Sequence, residues 1–155
     1  MEIKFYDTEK SVNKSDIENI EKILNFLLPE EYKTHLLMYN GGRCKPNIFS
    51  FLEKGKVSKS SIDWFLAIYD GKYDNLLTYI NIYKLEQKRI PFYLVPIAHD
   101  AGGNLICISC SKSDYGYIYF WDHEKEQNIS QIDYWENIYL ITKSFNQFIT
   151  NLEIE

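Results

Sequence analysis

Three apolar, β-rich runs in the C-terminal half of the chain are separated by connections of only six residues each. The runs span residues 92–98, 105–110 and 117–121. The connections contain the Gly, Asp, Asn and Ser residues that form hairpin turns, so consecutive strands should run antiparallel. Pro96 has no backbone amide to donate, which makes its strand irregular or places it at an edge. The sequence therefore predicts an antiparallel meander.

Amphipathic segments on both sides of these runs predict helices. Ser15 and Glu18 fit a capping box, and an apolar stripe follows at helical spacing, formed by Ile17, Ile20, Leu24 and Leu27. Further helix starts are predicted at Pro29, Asp74 and Ser144. Residues 47–52 and 62–69 have strand character. This order predicts an α+β fold with a mostly antiparallel β-sheet packed by N-terminal, middle and C-terminal α-helices.

The length and composition fit one globular domain over residues 1–155, since a chain of this size buries a core without disulfides or metals. The net charge of −5 excludes a global basic footprint for direct nucleic-acid binding. An odd number of cysteines, three, argues against a secreted disulfide framework. The N-terminus does not resemble a signal peptide, and the sequence contains no membrane-spanning apolar run. We therefore expect a cytoplasmic protein.

Cys107 and Cys110 form a C-x-x-C pattern, but residues three apart on a strand point to opposite faces of a sheet. Cys44 stands alone, so the second pair that a zinc ribbon needs is missing. The glycine-rich segment 100–104 leads into a strand, whereas a phosphate-binding loop leads into a helix. We therefore expect ordinary strand cysteines, a tight turn, and neither a metal nor a cofactor.

His99 and His123 are the residues around which a catalytic site could form. His123 lies between Asp122 and Glu124, a combination that general acid–base chemistry can use. The sequence has no nucleophile elbow and no zinc-protease motif to support this chemistry. A small hydrolase or nuclease would require both histidines and neighbouring carboxylates to converge in one cleft. We expect a non-catalytic protein and keep the enzyme as an alternative.

Acidic residues cluster in residues 119–136, and Tyr134 and Trp135 lie among them. A negative surface of this kind steers a basic protein partner, and an exposed aromatic side chain can anchor it. A solvated surface is the ordinary alternative. The candidate partner-binding residues are Asp122, Glu124, Glu126, Asp133, Tyr134, Trp135 and Glu136. Residues 43–60 instead carry an excess of positive charge, so a partner that is not basic remains open.

An ordered set of segments resembles the SMI1/KNR4 (SUKH) superfamily from about residue 15 to residue 152. No single segment is specific, and residues 43–90 match only loosely. The matching segments are Leu-Pro-Glu-Glu-Tyr-Lys at 28–33, Leu-Leu-Met-Tyr-Asn-Gly-Gly at 36–42, Leu-Val-Pro-Ile-Ala at 94–98, Asp-Ala-Gly-Gly-Asn-Leu-Ile-Cys-Ile at 100–108, Gly-Tyr-Ile-Tyr-Phe-Trp-Asp-His-Glu at 116–124 and Ser-Phe-Asn-Gln-Phe-Ile at 144–149.

This resemblance implies an α+β fold and a function based on protein contacts. Bacterial single-domain members look like immunity proteins, or antitoxins, which neutralise polymorphic toxins that are often nucleases. Fungal members look like regulatory interaction modules, so a scaffold without a toxin partner is the main alternative. The resemblance implies a protein partner and no catalysis. It does not indicate an oligomeric state.

Overall fold

The computed structural model describes residues 2–126 and 134–154. Most of its strands belong to one antiparallel sheet, and its helices lie before, between and after them. Along the chain the elements are β1 (Lys4–Tyr6), α1 (Lys14–Leu24), α2 (Glu30–Met38), β2 (Arg43–Lys45), β3 (Ile48–Glu53), β4 (Lys56–Ser61), β5 (Trp64–Phe65), α3 (Leu76–Tyr79), a π-helical segment (Ile80–Glu86), β6 (Leu94–His99), β7 (Leu105–Ser109), β8 (Ile118–Trp121), a 3-10 turn (His123–Lys125), β9 (Ile138–Thr142) and α4 (Phe145–Thr150).

The central sheet has the strand order β5-β6-β7-β8-β9, and each neighbouring pair is antiparallel. The remaining strands pair as β1 with β2 and as a β3–β4 hairpin. This confirms the predicted α+β fold and the predicted meander through β6, β7 and β8. The register shifts between Pro96 and Ala98, which confirms the predicted irregularity at Pro96.

Both faces of the central sheet are buried. Ile106 and Ile108 of β7 lie in the main core with residues from α1, α2 and α4. Phe120 of β8 joins them, and its ring stacks on Phe51 of β3 at a centroid distance of 4.4 Å. Leu105 and Cys107 of β7 point to the opposite face. Because all five residues of β7 are buried, the sheet needs a cover on each side.

The second face is covered by α3 and the π-helical segment that continues it. Tyr79 and Tyr83 pack there against a smaller cluster that contains the fully buried Trp121. The Tyr83 and Trp121 rings meet edge to face at 5.8 Å. Ile80, in the same helical stretch, faces the main core instead. One side of this helix therefore joins the main core, while the other covers the second face of the sheet.

The first helix begins and ends at different residues from those predicted. The N-cap of α1 is Asn13, whose side chain accepts a hydrogen bond from the Asp16 amide at 3.1 Å. Asp16 accepts a bond from the Asn13 amide in return, so Asn13 and Asp16 form the capping box that the sequence analysis assigned to Ser15 and Glu18. Asn25 adopts a left-handed φ of 67° and ends the helix early. Leu27, predicted to be buried, is consequently 65% exposed.

The other helix starts are nearer to the predictions. Pro29 directly precedes α2, and Ser144 caps α4 by accepting a hydrogen bond from the Gln147 amide at 3.1 Å. For α3 the cap is Asn75 rather than Asp74, because the Asn75 side chain accepts from the Thr78 amide. No sequence pattern predicted the π-helical geometry of Ile80–Glu86.

The strand predicted at residues 47–52 is confirmed and covers most of β3. Of the strand predicted at residues 62–69, only the two residues of β5 form a strand. No sequence pattern predicted β1, β2, β4 or β9.

His35 on α2 connects several elements of the main core. Its ring lies 4.9 Å from the Phe5 ring of β1 and 4.9 Å from the Phe145 ring of α4. The Phe65 ring of β5 lies 5.4 Å away. The Nε2 atom is buried and has no hydrogen-bond partner within residues 2–126 and 134–154. Burial therefore lowers the pKa of His35 to about 4, because a charged imidazole would lose its hydration there.

We predict that His35 makes the fold sensitive to acid. Its pKa is about 4 when folded and about 6.5 when unfolded, so folding favours the neutral ring. Above pH 6.5 this difference in pKa has no effect on the free energy of unfolding. As the pH falls to 4, the free energy of unfolding decreases by about 3 kcal/mol. Urea unfolding of the wild type and of His35→Leu at pH 7 and pH 4.5 measures it. The wild type should lose more stability, and equal losses in both proteins would contradict the prediction.

Candidate partner-binding surface

The acidic residues after β8 form a turn that is itself tightly hydrogen-bonded. The carboxylate of Asp122 accepts a hydrogen bond from the Glu124 amide at 3.0 Å and so caps the 3-10 turn. The Asp122 carbonyl accepts a bond from the Asn137 side-chain amide, also at 3.0 Å. The turn after β8 is thus held against the start of β9. Asp122 stabilises the shape of the turn, and its carboxylate is only partly accessible to a partner.

Two ion pairs connect the turn to charged residues from other parts of the chain. Glu126 accepts hydrogen bonds from Arg89 at 2.5 Å and 3.2 Å. These bonds raise the pKa of Arg89, whose guanidinium also lies over the Tyr83 and Trp121 rings. Lys125 pairs with Glu53 on β3, and the hydrogen bond between them lowers the pKa of Glu53. Arg89 therefore offsets the charge of Glu126, whereas Glu53 offsets the turn's own lysine, so the turn remains negative.

Two carboxylates and one indole remain for a partner. Glu124 and Glu136 are exposed, and neither forms an ion pair with another residue that the structure describes. The exposed Trp135 ring packs edge to face on Tyr119 at 5.1 Å. Tyr134 is half-buried, and Asp133 lies outside the described residues. The surface therefore combines acidic groups with an aromatic side chain supported from below.

Tyr119 in turn is held in place by a residue of the turn between β7 and β8. Its hydroxyl donates to the Asp114 carboxylate at 2.6 Å, and burial raises the pKa of Tyr119. Ser109 donates to the same carboxylate at 2.5 Å. These bonds give Trp135 a rigid platform, which lowers the conformational entropy that binding through this ring would cost.

The two histidines occupy separate hydrogen-bonding positions at the 100–104 turn. His99 Nε2 lies 2.6 Å from an Asp74 oxygen, and its ring stacks on Tyr79 at 5.9 Å. His123 Nδ1 lies 2.7 Å from the Asn104 side-chain oxygen. Within residues 2–126 and 134–154 their side chains share no hydrogen-bond partner. The convergence that a small hydrolase or nuclease would require is not found in this part of the chain.

The 100–104 segment is the tight turn predicted from its composition. The buried Asp100 carboxylate accepts hydrogen bonds from the Gly102 and Asn104 amides, each at 2.9 Å, and from the Ser60 hydroxyl at 2.9 Å. Gly103 has a φ of 89°, and a Cβ there would lie 3.4 Å from the His123 ring. Glycine is therefore required by the backbone angle, and the turn leads into strand β7, with no helix to bind a phosphate.

The cysteines are thiols buried within the core. Cys110 belongs to the main core and Cys107 to the second face, so they point in opposite directions as predicted. Burial raises the pKa of each to about 12, which keeps both thiols protonated. No group of three or more His, Cys, Asp or Glu residues in the described chain is arranged to hold a metal ion. None of its helices has both the length and the apolar character of a membrane span.

The ion-pair partners of the acidic turn were the residues that the sequence analysis missed. Glu53 and Arg89 lie far from the turn in sequence, and only the folded chain brings them to it. No spacing rule links residues so far apart, so the sequence gives no local signal for either pair.

We predict that Asp100 matters for stability and Glu124 does not. Replacing Asp100 with Ala leaves the Gly102 and Asn104 amides without their acceptor and should lower the free energy of unfolding by about 3 kcal/mol. Glu124→Ala, the matched control on an exposed carboxylate, should change it by less than about 0.5 kcal/mol. Urea unfolding monitored by tryptophan fluorescence measures both. Similar small losses would show that the 100–104 turn is not organised by this carboxylate.

Comparison with known proteins identifies the family of the chain. A model of the SMI1 / KNR4 family (SUKH-1) matches residues 11–151. A relative, the SPbeta prophage-derived uncharacterized protein YokK of Bacillus subtilis (strain 168), is 29% identical over 163 aligned positions. That alignment covers 92% of this chain and 76% of YokK. The chain therefore belongs to the SMI1/KNR4 family (SUKH-1).

Proposed function

We propose that this protein is a non-catalytic immunity protein that binds a cognate polymorphic toxin and neutralises it. The observation that carries the proposal is the family match over residues 11–151, since SUKH proteins are often immunity proteins that act through protein contacts. The positions of His99 and His123 support it, because their hydrogen bonds shape turns instead of forming a shared cleft. The prophage origin of YokK supports a bacterial setting, and we propose the cytoplasm as the site of action.

We further propose that the toxin is a nuclease. A nuclease presents a basic surface to the phosphates of its substrate, and a domain with a net charge of −5 complements such a surface. Charge complementarity speeds the encounter, and desolvated aromatic anchors then slow dissociation. An inhibitor that covers the nuclease surface in this way needs a rigid exterior and no chemistry of its own.

The contact surface proposed for the basic partner is the acidic turn together with the start of β9. Glu124 and Glu136 supply charge, and Trp135 supplies an anchor beside Tyr134. Asp122 and Glu126 contribute less to the field, because Asp122 lies 4.0 Å from the Lys125 ammonium and Glu126 pairs with Arg89. We include Asp133 in the proposed contact surface only because of its position in the sequence.

Co-expression tests the function directly. Cells that express the C-terminal domain of the toxin encoded beside this gene should stop growing, and co-expression of the wild-type protein should restore growth. Asp100→Ala, which should weaken the fold, serves as the destabilised control and should rescue less. The immunity proposal is wrong if the wild type folds in these cells and growth does not return. A regulatory or scaffold role would then be favoured.

We predict that reversing the two exposed carboxylates slows association with the toxin domain. Glu124→Lys combined with Glu136→Lys should lower the association rate about tenfold at low salt, with a smaller effect at 0.5 M salt. The double variant Glu9→Lys/Glu18→Lys changes the total charge equally on another part of the surface and is the matched control. Stopped-flow or surface-based kinetics measure the rates. Equal rates for the two double variants would remove the acidic turn from the proposed interface.

A further inference from the structure

A second exposed apolar area lies at the opposite end of β8 from the acidic turn. Three segments meet there: the chain after α1, the chain before β6 and the turn between β7 and β8. We call this area the aromatic corner; its members are Phe26, Leu27, Phe92, Tyr93 and Tyr115. Leu27 is 65% exposed and Phe92 is 52% exposed, and Tyr93 and Tyr115 are also open to solvent.

The aromatic corner is a continuous and ordered surface. The Phe92 and Tyr93 rings meet edge to face at 4.9 Å, and Phe26 packs on them at 5.8 Å and 5.4 Å. The Tyr115 hydroxyl donates to the Leu27 carbonyl at 3.0 Å, which ties the turn to the segment after α1. Clusters of exposed large apolar side chains mark interaction surfaces more often than isolated ones do.

A lysine ammonium lies directly beneath these rings. Lys84, on the π-helical segment, is only 9% exposed, and its Nζ donates to the Phe92 carbonyl. The Nζ atom lies 5.6 Å from the centre of the Phe26 ring and 5.5 Å from that of the Phe92 ring. No carboxylate of the described residues comes within ion-pair distance of it. The titratable groups near it are the thiols of Cys107 and Cys110, which are uncharged at pH 7.

An ammonium buried without a carboxylate destabilises a fold. Burial lowers the pKa of Lys84 to about 8, because a carbonyl and two aromatic faces replace only part of its hydration. Replacing buried charges with apolar side chains of similar volume often stabilises a protein. Apart from the bond to the Phe92 carbonyl, the N–H groups of Lys84 face only aromatic rings and lack a strong acceptor. These N–H groups lie under side chains that a docking partner would touch.

We propose that the aromatic corner anchors an apolar segment of the cognate toxin that carries a carboxylate, and that this carboxylate pairs with Lys84. Charge complementarity selects this occupant: the apolar part packs on Leu27, Phe92 and Tyr93, while the anion supplies the partner that the buried ammonium lacks. The inference rests on the proposed function for the identity of the partner. It adds an anchor that is separate from the acidic turn.

The first arm of the test uses the protein alone. Lys84→Met keeps the length of the side chain and removes the charge, so it should raise the melting temperature at pH 7 by about 5 °C. Lys72→Met, on an exposed lysine that lies over the Tyr73 ring, is the matched control and should leave the melting temperature unchanged within about 1 °C. A lower melting temperature for Lys84→Met would show that the ammonium already stabilises the unbound fold, and the proposal would be wrong.

The second arm uses the toxin domain from the co-expression experiment. Despite being more stable, Lys84→Met should bind this domain about 10–100-fold more weakly, because the carboxylate of the toxin would be buried unpaired. Leu27→Ser should also weaken binding about tenfold. Leu52→Ser, which changes a similarly exposed leucine on the β3–β4 hairpin, should not. Opposite effects of Lys84→Met on stability and affinity are not expected from a merely structural lysine.

The third arm follows protons. Calorimetry at pH 8 in buffers of different ionisation enthalpy should show that the wild type takes up more protons on binding than Lys84→Met does, because a carboxylate raises the pKa of Lys84. If the wild type binds and all corner variants bind equally well, this inference fails while the immunity function stands. If the wild type does not bind the toxin domain, the proposed function fails and this inference falls with it.

Discussion

The burial of β7 on both faces is the constraint on which the rest of the structure depends. Ile106 and Ile108 require a cover of helices on one side, and Leu105 and Cys107 require a second cover on the other. The chain meets the second requirement with α3 and its π-helical continuation, which place Tyr79 and Tyr83 over the sheet. With both faces occupied, the meander can offer a partner little more than its ends and its outer strands.

The proposed surfaces follow from that arrangement. The acidic turn extends from the C-terminal end of β8, and the aromatic corner adjoins its N-terminal end. Each is built on hydrogen bonds or ring contacts that hold its shape, such as Asp122 with the Glu124 amide and Tyr115 with the Leu27 carbonyl. Rigid surfaces of this kind suit a protein that acts by binding, because little conformational freedom is lost when the complex forms.

Local chemistry explains which parts of the fold were predictable. Ser144 caps α4 by accepting a hydrogen bond from an amide three residues away. A bond over so short a separation can be predicted from the sequence pattern. At α1 the same rule fits Ser15 and Asn13 equally well, and the reciprocal bond from Asp16 decides for Asn13. The short, repeated turns around β7 made the meander predictable, whereas β1 and β2 depend on pairing across most of the N-terminal half of the chain.

The candidate surface was less predictable because electrostatics depends on tertiary neighbours. Counting charged residues in the sequence gave the correct sign for the net charge of the acidic turn. It missed Arg89, which neutralises Glu126, and Glu53, which pairs with Lys125. The aromatic corner was missed for a related reason: its rings come from three segments, and the early end of α1 exposes Leu27. The exposure of an apolar residue depends on the packing of the whole chain.

The central claim is that this protein acts by occupying the surface of another macromolecule and performs no chemistry on it. The most direct measurement is the stoichiometry of neutralisation, in which purified toxin domain is titrated with the protein and residual toxin activity is followed. We expect activity to disappear at one equivalent and to return, with the mass of the toxin unchanged, once the complex is dissociated. Complete inactivation by a small fraction of an equivalent, with a covalently altered toxin, would contradict the account.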